Sequence, residues 1–358
     1  MNIQLLTPKF VRNDAAMYSN RNGLNNNFYP NLRPLNQDTV SFSGKAQKLL
    51  QIAEFGEDTR NKYLSNWSQD VSFQLVSKVA EEFQKPLNNL LRTIRRGLKD
   101  LVATDKNPNN IILGGPNGIK GRVKKPRSIA EKALSRKLYT QKEIERMGDI
   151  AGTRITMRSG TQQDFDKLFC SLGDMVKRGE LTIRKIENYR LSPADSYVST
   201  RTLDNFEEVC NKAGMFPTRK EQAIPNGYTA IHLTVELPEG KLAEIQIMGR
   251  DMENAKEVED FYYKYRFNKG LDPKYKSIQK TLETTIPTLD EFQSQALNKY
   301  IKDSYIHAKA IQPRNSKKPN VAKDFLPFPY FLPQELSYAN LYKMMEDCDK
   351  AAKKVKQK

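Results

Sequence analysis

The sequence has few cysteines and few histidines, and these shortages exclude several kinds of site. Its three cysteines, Cys170, Cys210 and Cys348, stand far apart and form no CxxC pair. Neither a disulfide framework nor a zinc knuckle is therefore predicted. The two histidines, His232 and His307, are also widely separated, so a histidine-rich metal centre is not predicted either.

Long apolar runs are also missing. No stretch approaches the about 18 apolar residues that a transmembrane helix requires. Residues 2–36 are polar and interrupted by prolines, without the apolar core of a signal peptide. We therefore expect a cytoplasmic protein that makes no use of a membrane.

Positive charge is in excess. Lysine and arginine number 59 against 42 acidic residues, which gives a formal net charge of +17. This excess favours anionic partners such as nucleotides, RNA or acidic lipid headgroups, without choosing among them. A generally basic, solvated surface is the alternative interpretation.

Composition divides the chain into three parts. Residues 1–43 are rich in asparagine with scattered prolines and are expected to form a disordered or extended arm. Residues 44–274 are predicted to form one domain, because strand-like and helix-like stretches alternate between 120 and 267 in the manner of an α/β (α+β) fold. Residues 275–358 are predicted to be a helical extension containing a proline-rich strap at 313–333.

The hydrophobic pattern also predicts individual elements. Helical spacing runs from 68 to 101, where Pro86 is expected to divide the helix. Strands are predicted at 149–157, 181–188, 229–237 and 242–247. Further helices are predicted at 164–177, 203–213, 252–267 and 335–358.

The first motif is a basic stretch that begins at Gly121-Arg-Val-Lys and leads into a helix. Ser128, Lys132 and Arg136 follow one another at intervals of four and share one helical face. Arg122 and Lys124 share a face if the lead-in is extended. Cations that converge near a helix N-terminus favour a polyphosphate, although a solvated basic turn has the same composition.

The second motif places a carboxylate at the edge of a predicted strand, in Asp149-Ile-Ala-Gly-Thr-Arg154. Gly152 removes a side chain within the strand, which is useful where something approaches the backbone. Magnesium binds one or two carboxylates together with substrate phosphates. Asp149 is therefore a candidate magnesium ligand, and a cap at the start of the strand is the alternative.

The third motif is a pair of strand-like stretches joined by Pro238-Glu239-Gly240. This linker is typical of a hairpin loop with a type I turn followed by a left-handed glycine. It pairs Leu237 with Lys241 and fixes the register of the hairpin. The apolar pairs are then Val235 with Ala243, Leu233 with Ile245, and Ile231 with Ile247. The polar pairs are Thr234 with Glu244 and His232 with Gln246, with Tyr228 at the strand entrance.

A hairpin with one solvated face would explain this pattern without any function. One of only two histidines, however, falls in the polar row beside a carboxylate. His232 and Glu244 are therefore candidate functional residues.

In order and spacing, the three motifs resemble the synthetase domain of the RelA/SpoT alarmone enzymes. Gly121-Arg-Val-Lys is similar to that family's ATP-phosphate motif, and Asp149-Ile-Ala-Gly-Thr-Arg-Ile to its magnesium-aspartate strand. Asn226-Gly-Tyr-Thr-Ala-Ile-His, followed by Glu244-Ile-Gln-Ile, resembles its acceptor-binding and catalytic-glutamate strands. The resemblance covers residues 68–274. It implies a nucleotidyltransferase-like mixed β-sheet flanked by helices, as in the small alarmone synthetases.

The resemblance also implies roles for single residues. On the ATP side, Arg122 and Arg154 would flank the adenine, and the phosphates would be held by Lys124, Ser128 and Lys132. Asp149 and Glu244 would be the catalytic carboxylates and the ligands of Mg²⁺. Tyr228 would stack on the acceptor base, with His232 and Gln246 in contact with the acceptor. Glu259 matches a further glutamate of the family.

Some residues depart from the family pattern. Met248 and Gly249 stand where the family usually has arginine and threonine, and Asp260 replaces a histidine. A long segment, 190–225, replaces a short acceptor loop. These departures lie on the acceptor side, so the ATP side is the firmer inference. Because two scattered histidines do not supply the family's hydrolase site, we expect synthesis without hydrolysis.

Three functions compete on this basis. The leading hypothesis is a GTP/GDP diphosphokinase that transfers pyrophosphate from ATP to the 3′-hydroxyl of a purine nucleotide, giving (p)ppGpp-type alarmones. The second keeps this chemistry but uses the 3′ end of tRNA as acceptor, as toxic relatives do. The third is a non-catalytic nucleotide- or RNA-binding module. The C-terminal extension would mediate self-association, dock RNA or an antitoxin, or cover the domain.

Overall fold

The computed structural model describes residues 71–136, 138, 140–158, 160–224, 226–266, 271–312 and 324–356. The N-terminal arm predicted for 1–43 lies outside these residues, as does the start of the predicted domain, residues 44–70. So does the first part of the proline-rich strap, residues 313–323.

A mixed six-stranded sheet forms the centre of the molecule, in the order β1-β2-β6-β5-β3-β4. Strand β2 runs parallel to β6, and β3 runs parallel to β4. The other neighbours are antiparallel. The strands are β1 (Ile119–Val123), β2 (Ala151–Met157), β3 (Thr182–Arg190), β4 (Thr218–Ala223), β5 (Ala230–Glu236) and β6 (Leu242–Gly249).

Helices flank this sheet, which confirms the predicted fold class. Those before β5 are α1 (Val71–Glu82), α2 (Gln84–Gly97), α3 (Pro126–Ser135), α4 (Gln141–Glu145), α5 (Gln162–Lys177) and α6 (Thr200–Lys212). Those after β6 are α7 (Arg250–Arg266), α8 (Lys276–Thr285), α9 (Glu291–Ile311) and α10 (Tyr338–Lys356). No helix among the described residues is both long and apolar enough to cross a membrane.

Helix α2 shows why these segments adopt their places. Its leucines and Ile94 recur at helical spacing and are buried, whereas Arg95 and Arg96 occupy its last turn toward solvent. Helix α1 ends at Glu82 and α2 begins at Gln84, so the helical segment is interrupted at Phe83. Pro86 lies in the first turn of α2, where proline is tolerated. The predicted division near Pro86 is thus confirmed.

The predicted hairpin register is confirmed. His232 pairs with Gln246 and Thr234 with Glu244, while the alternate residues, such as Leu233 and Ile245, are fully buried. The predicted turn type is wrong, because Glu239 itself has a φ of 65° ahead of Gly240 at 71°. Two successive left-handed residues replace the type I turn followed by one left-handed glycine.

Strand β4 was not predicted. It lies inside the long segment between 190 and 225 and pairs with β3, from Lys185 with Thr218 to Arg190 with Ala223. Its sequence, Thr-Arg-Lys-Glu-Gln-Ala, has no apolar alternation because it lies at an edge of the sheet and is mostly exposed.

The C-terminal extension packs onto the domain through α7, which contacts α8, α9 and α10. Gln312, fully buried at the end of α9, accepts a hydrogen bond from the Asp251 amide at 2.7 Å and donates one to the Arg158 carbonyl at 3.1 Å. In the described part of the strap, Phe328 packs edge-on against Tyr300 of α9 with ring centroids 4.7 Å apart. The extension therefore shares the core of the sheet domain.

Candidate active site

One face of the sheet carries two polar rows that run across neighbouring strands. The first row aligns Arg122 of β1, Gly152 of β2 and Glu244 of β6. The second row aligns Lys120, Arg154 and Gln246 on the same strands and continues to His232 on β5. Sheet register thus brings the three sequence motifs, which are up to about 120 residues apart in the chain, onto one surface.

Gly152 leaves an open place in the first row. A Cβ atom at this position would meet only the Glu244 carbonyl oxygen, at an ordinary distance of 3.8 Å. Packing within the protein therefore does not require a glycine here. The space above Gly152 is bordered by the exposed Arg122 and by Glu244, which agrees with a ligand lying close to the backbone.

Asp149 lies just before β2 and forms ion pairs with two lysines. The ammonium groups of Lys124 and Lys132 both donate to its Oδ2 atom. Burial raises the pKa of Asp149, but the two lysines outweigh burial and hold the pKa below its ordinary value. The carboxylate is thus ionised, and two cations meet where a phosphate is expected.

Helix α3 positions one of these lysines. The helix begins at Pro126, whose missing N–H is harmless in the first turn. Ser128 is exposed one turn before Lys132, and Arg136 follows the end of the helix. Burial lowers the pKa of Lys132, although its hydrogen bond to Asp149 acts in the opposite direction.

Arg154 belongs to a buried charge network that the sequence did not reveal. Its Nη1 atom lies 2.8 Å from Glu253 and 3.6 Å from Glu257, and Lys120 lies 2.5 Å from Glu253. Thr156 donates to the second Glu253 oxygen at 2.5 Å. Burial opposes the charge on Arg154, but the two glutamates raise its pKa above the ordinary value.

The residues predicted to bind the acceptor form a hydrogen-bonded chain. Tyr228 and His232 join through the hydroxyl and Nε2 at 3.1 Å, and the His232 Nδ1 atom lies 2.9 Å from Glu244. Gln246 donates to the other Glu244 oxygen at 2.5 Å. Burial raises the pKa of Glu244, yet His232 and Gln246 outweigh it and lower that pKa to about 2. Glu244 is therefore a fixed anion.

Lys256 of α7 also lies in this group, and no motif pointed to it. Its Nζ atom donates to the Gln246 Oε1 atom at 3.1 Å and to the Tyr228 hydroxyl at 3.5 Å. Burial, helped by the charge of Arg154, lowers the pKa of Lys256 to about 8.

Aromatic rings surround Tyr228. The ring of Tyr189 lies 5.9 Å away and that of Tyr305, on α9, lies 5.7 Å away, both edge-on. The Tyr305 hydroxyl donates to Glu259 at 3.4 Å, and Arg266 donates to the other Glu259 oxygen at 2.6 Å. Burial raises the pKa of Glu259 to about 7 despite Arg266.

The predicted magnesium ligands are two carboxylates, and by donor type they suit an ion that completes its coordination with substrate. Within the described part of the chain, no group of three or more histidine, cysteine or acidic side chains is arranged to hold a metal ion alone. The two candidate carboxylates, Asp149 and Glu244, are both ionised. This number of carboxylates is what Mg²⁺ uses when phosphates supply further oxygens.

Comparison with known proteins identifies the region that carries this face. Residues 121–268 match the family model described as the region found in RelA/SpoT proteins. No curated protein sequence matches the chain significantly.

Among solved structures, small alarmone synthetase 1 from Bacillus subtilis is similar at 20% identity, covering 66% of this chain and 94% of that chain with a TM-score of 0.40. The same synthetase bound to its product pppGpp gives 21% identity, the same coverage and a TM-score of 0.39. Its complex with AMPCPP gives 19% identity over 66% of this chain and 98% of that chain, with a TM-score of 0.34.

The family match spans all three motifs, and every site residue predicted from the motifs lies within residues 121–268.

Proposed function

We propose that this protein transfers the β,γ-pyrophosphate of ATP to the 3′-hydroxyl of GDP or GTP, forming (p)ppGpp-type alarmones in the cytoplasm. One observation carries the proposal. The gap above Gly152 lies between Arg122 and the ionised Glu244, in a row that sheet register fixes. Such a gap accommodates a triphosphate between a cationic and an anionic side of one surface.

The cationic side is suited to ATP. Arg122 and Arg154 flank the adenine in this proposal, and Lys124, Ser128 and Lys132 hold the phosphates. The hydrogen bonds from both lysines to Asp149 support these roles, because they direct the two ammonium groups to the same carboxylate oxygen. Preorganised cations stabilise charge that develops on phosphoryl oxygens without having to move.

Magnesium is the implied cofactor, and Asp149 and Glu244 would hold it. Its charge would then offset that of the transferred phosphates. The chain's own residues align the acceptor beside it: Tyr228 supports the base, and His232 keeps Glu244 fixed through their 2.9 Å contact.

Glu244 acts mainly by orienting the 3′-hydroxyl. A carboxylate whose pKa is about 2 is a weak base at neutral pH, so proton removal is a small part of its contribution. The 3′ oxygen forms a bond to the β-phosphorus while the bond from that phosphorus to the α,β-bridging oxygen breaks. AMP leaves, and the hydroxyl proton passes to solvent. Positioning of this kind contributes up to about 7–11 kcal/mol in model systems.

The test is a product assay with ATP, Mg²⁺ and GDP or GTP. We expect AMP and a 3′-pyrophosphorylated guanine nucleotide in equal amounts. Glu244→Gln should lower kcat by about 10²- to 10³-fold, since it removes a fixed charge beside the reacting groups. A wild-type protein that releases no AMP with any purine nucleotide would contradict the proposal. Full turnover by the variant would remove Glu244 from the mechanism.

A second acceptor, the 3′ end of tRNA, is favoured by one observation. The polar face continues past His232 to Glu187 on β3 and Lys220 on β4, and Lys220 is exposed. This continuation offers room for an acceptor larger than a nucleotide. ATP labelled in its β,γ-phosphates distinguishes the two, because the label enters either tRNA or free nucleotide. If no label is transferred to either, the non-catalytic binding module is favoured.

A further inference from the structure

Lys256 occupies an unusual place for a lysine on a helix. It is on α7, outside the three motifs, yet its ammonium lies in the acceptor group rather than in solvent. The Nζ atom lies over the Tyr228 ring, 5.3 Å from its centroid and 3.5 Å from its hydroxyl. The cation is therefore at the hydroxyl end of the ring, above its face.

The Nζ atom of Lys256 lies where the edge of a base stacked on Tyr228 would be. A base that stacks on Tyr228 lies in a plane parallel to the ring and just above it. An ammonium that lies above the ring but beyond its centre then meets the rim of such a base. Among the described residues, Gln246 and Tyr228 use two of its three N–H donors, which leaves one for a ligand.

We propose that Lys256 selects the acceptor base, favouring guanine over adenine by donating a hydrogen bond to the edge of the base stacked on Tyr228. The chemistry of the two bases supports this choice. Guanine presents the two acceptors N7 and O6 along one edge, whereas adenine presents N7 beside an amino donor. An ammonium has donors and no acceptor, so its one remaining donor matches the O6 atom of guanine and opposes the amino group that adenine carries at the same position.

The surroundings keep the ammonium in position. Gln246 holds it from β6 and Tyr228 from the start of the hairpin. The charges that act on it are the cations Arg154 and Arg122 and the anions Glu244 and Asp260. Lys256 is thus fixed between strands rather than free to rotate, as a base-selecting residue must be. This role rests on the proposed function, because it assumes that the base of the acceptor stacks on Tyr228.

Equilibrium binding tests this role. Binding of GDP and ADP is measured by calorimetry on the full chain, with the ATP site filled by α,β-methylene ATP and Mg²⁺. Wild-type protein should bind GDP more tightly, and Lys256→Met should lower the GDP-to-ADP affinity ratio by about tenfold or more. IDP keeps O6 and N7 and lacks the 2-amino group of GDP. Its affinity should therefore fall in Lys256→Met by about the same factor as that of GDP.

Two further variants control this measurement. Lys256→Arg should keep most of the preference, since a guanidinium also donates to O6 and N7. Lys264→Met removes a lysine of the same helix that pairs with Asp260 at 2.7 Å, and should leave the ratio unchanged. Unchanged melting temperatures establish that the variants fold.

Two results would overturn the inference: equal affinity of the wild-type protein for GDP and ADP, or an unchanged ratio in Lys256→Met. The assay measures no turnover, so its failure is distinct from failure of the proposed function. A protein that selects GDP through Lys256 and yet forms no 3′-pyrophosphorylated product would contradict the proposed reaction and leave this inference intact.

Discussion

The two halves of the polar face are built in different ways. On the side proposed for ATP, groups of opposite charge pair within residues 121–268, as Lys124 and Lys132 do with Asp149. On the side proposed for the acceptor, aromatic rings and a hydrogen-bonded chain dominate. The ring of Tyr305, which lies beyond residue 268, packs against Tyr228 and is called the acceptor wall below. Electrostatic preorganisation can be encoded within short motifs, whereas the acceptor wall requires the packing of a distant helix.

The sharpest test of the ATP side is Gly152→Val. Its Cβ would contact only a carbonyl oxygen at 3.8 Å, so the fold should tolerate the change. The added side chain would project into the space proposed for the triphosphate. We expect kcat/KM for ATP to fall by on the order of 10²-fold, as a displacement of about 1 Å does elsewhere, with little change in melting temperature.

Gly173→Ala provides the matched control. A Cβ on Gly173 would also meet its nearest neighbour at an ordinary distance, 3.7 Å from Val209, but within α5 and away from the polar face. Turnover should remain at the wild-type level in this variant. Normal turnover in Gly152→Val would show that nothing lies over Gly152 during the reaction.

The hairpin shows how far the sequence alone reaches. Loop length and strict alternation fix its register, so the neighbours of Glu244 follow from local pattern alone. The type of turn did not follow, because a left-handed Glu239 is rare for a residue with a Cβ. Strand β4 was missed for a related reason: its edge position removes the apolar alternation that marks a strand.

Three of the residues that sequence reasoning missed at the site are on helices. Glu253 and Lys256 are charged residues of α7, and a charge on a helix usually indicates a solvated face. Their inward direction depends on how α7 packs across β2 and β6, which no short motif records. Tyr305 is farther still from the motifs in sequence and reaches the site through the packing of α9.

Removal of the acceptor wall should have a smaller effect than a block on the ATP side. Tyr305→Ala deletes the ring that packs edge-on against Tyr228. Aromatic pairs of this kind contribute about 0.5–1.5 kcal/mol beyond their buried area, so KM for the acceptor should rise about two- to tenfold. KM for ATP should be unaffected, since Tyr305 contacts Tyr228 and Glu259, which have no proposed role in ATP binding.

The close contact between α9 and the loop before β5 involves atoms that remain in this variant. Gly227 has a φ of 84°, and a Cβ there would lie 2.8 Å from the Ile306 side chain, 3.4 Å from the Ile306 amide nitrogen and 3.5 Å from the Tyr305 Cβ atom. Tyr330→Ala, at a ring that is 90% exposed, is the control and should change neither KM. Equal increases in both KM values would assign Tyr305 to general stability rather than to the acceptor wall.

The last expected effect is on stability rather than on turnover, through Glu259 behind that wall. Burial raises its pKa to about 7 in the folded protein, above the ordinary 4.5. The folded state therefore binds a proton more readily than the unfolded state. This contribution of Glu259 to the free energy of unfolding is fully present below pH 4.5 and is lost as pH rises through 7, by on the order of 1–3 kcal/mol.

Urea unfolding of wild type and Glu259→Gln between pH 4.5 and 8 measures this contribution. The stability difference between the two should shift across that range in favour of the glutamine variant as pH rises. A pH-independent difference would mean that Arg266 keeps Glu259 ionised throughout, and that the acceptor side, like the ATP side, is balanced by paired charges.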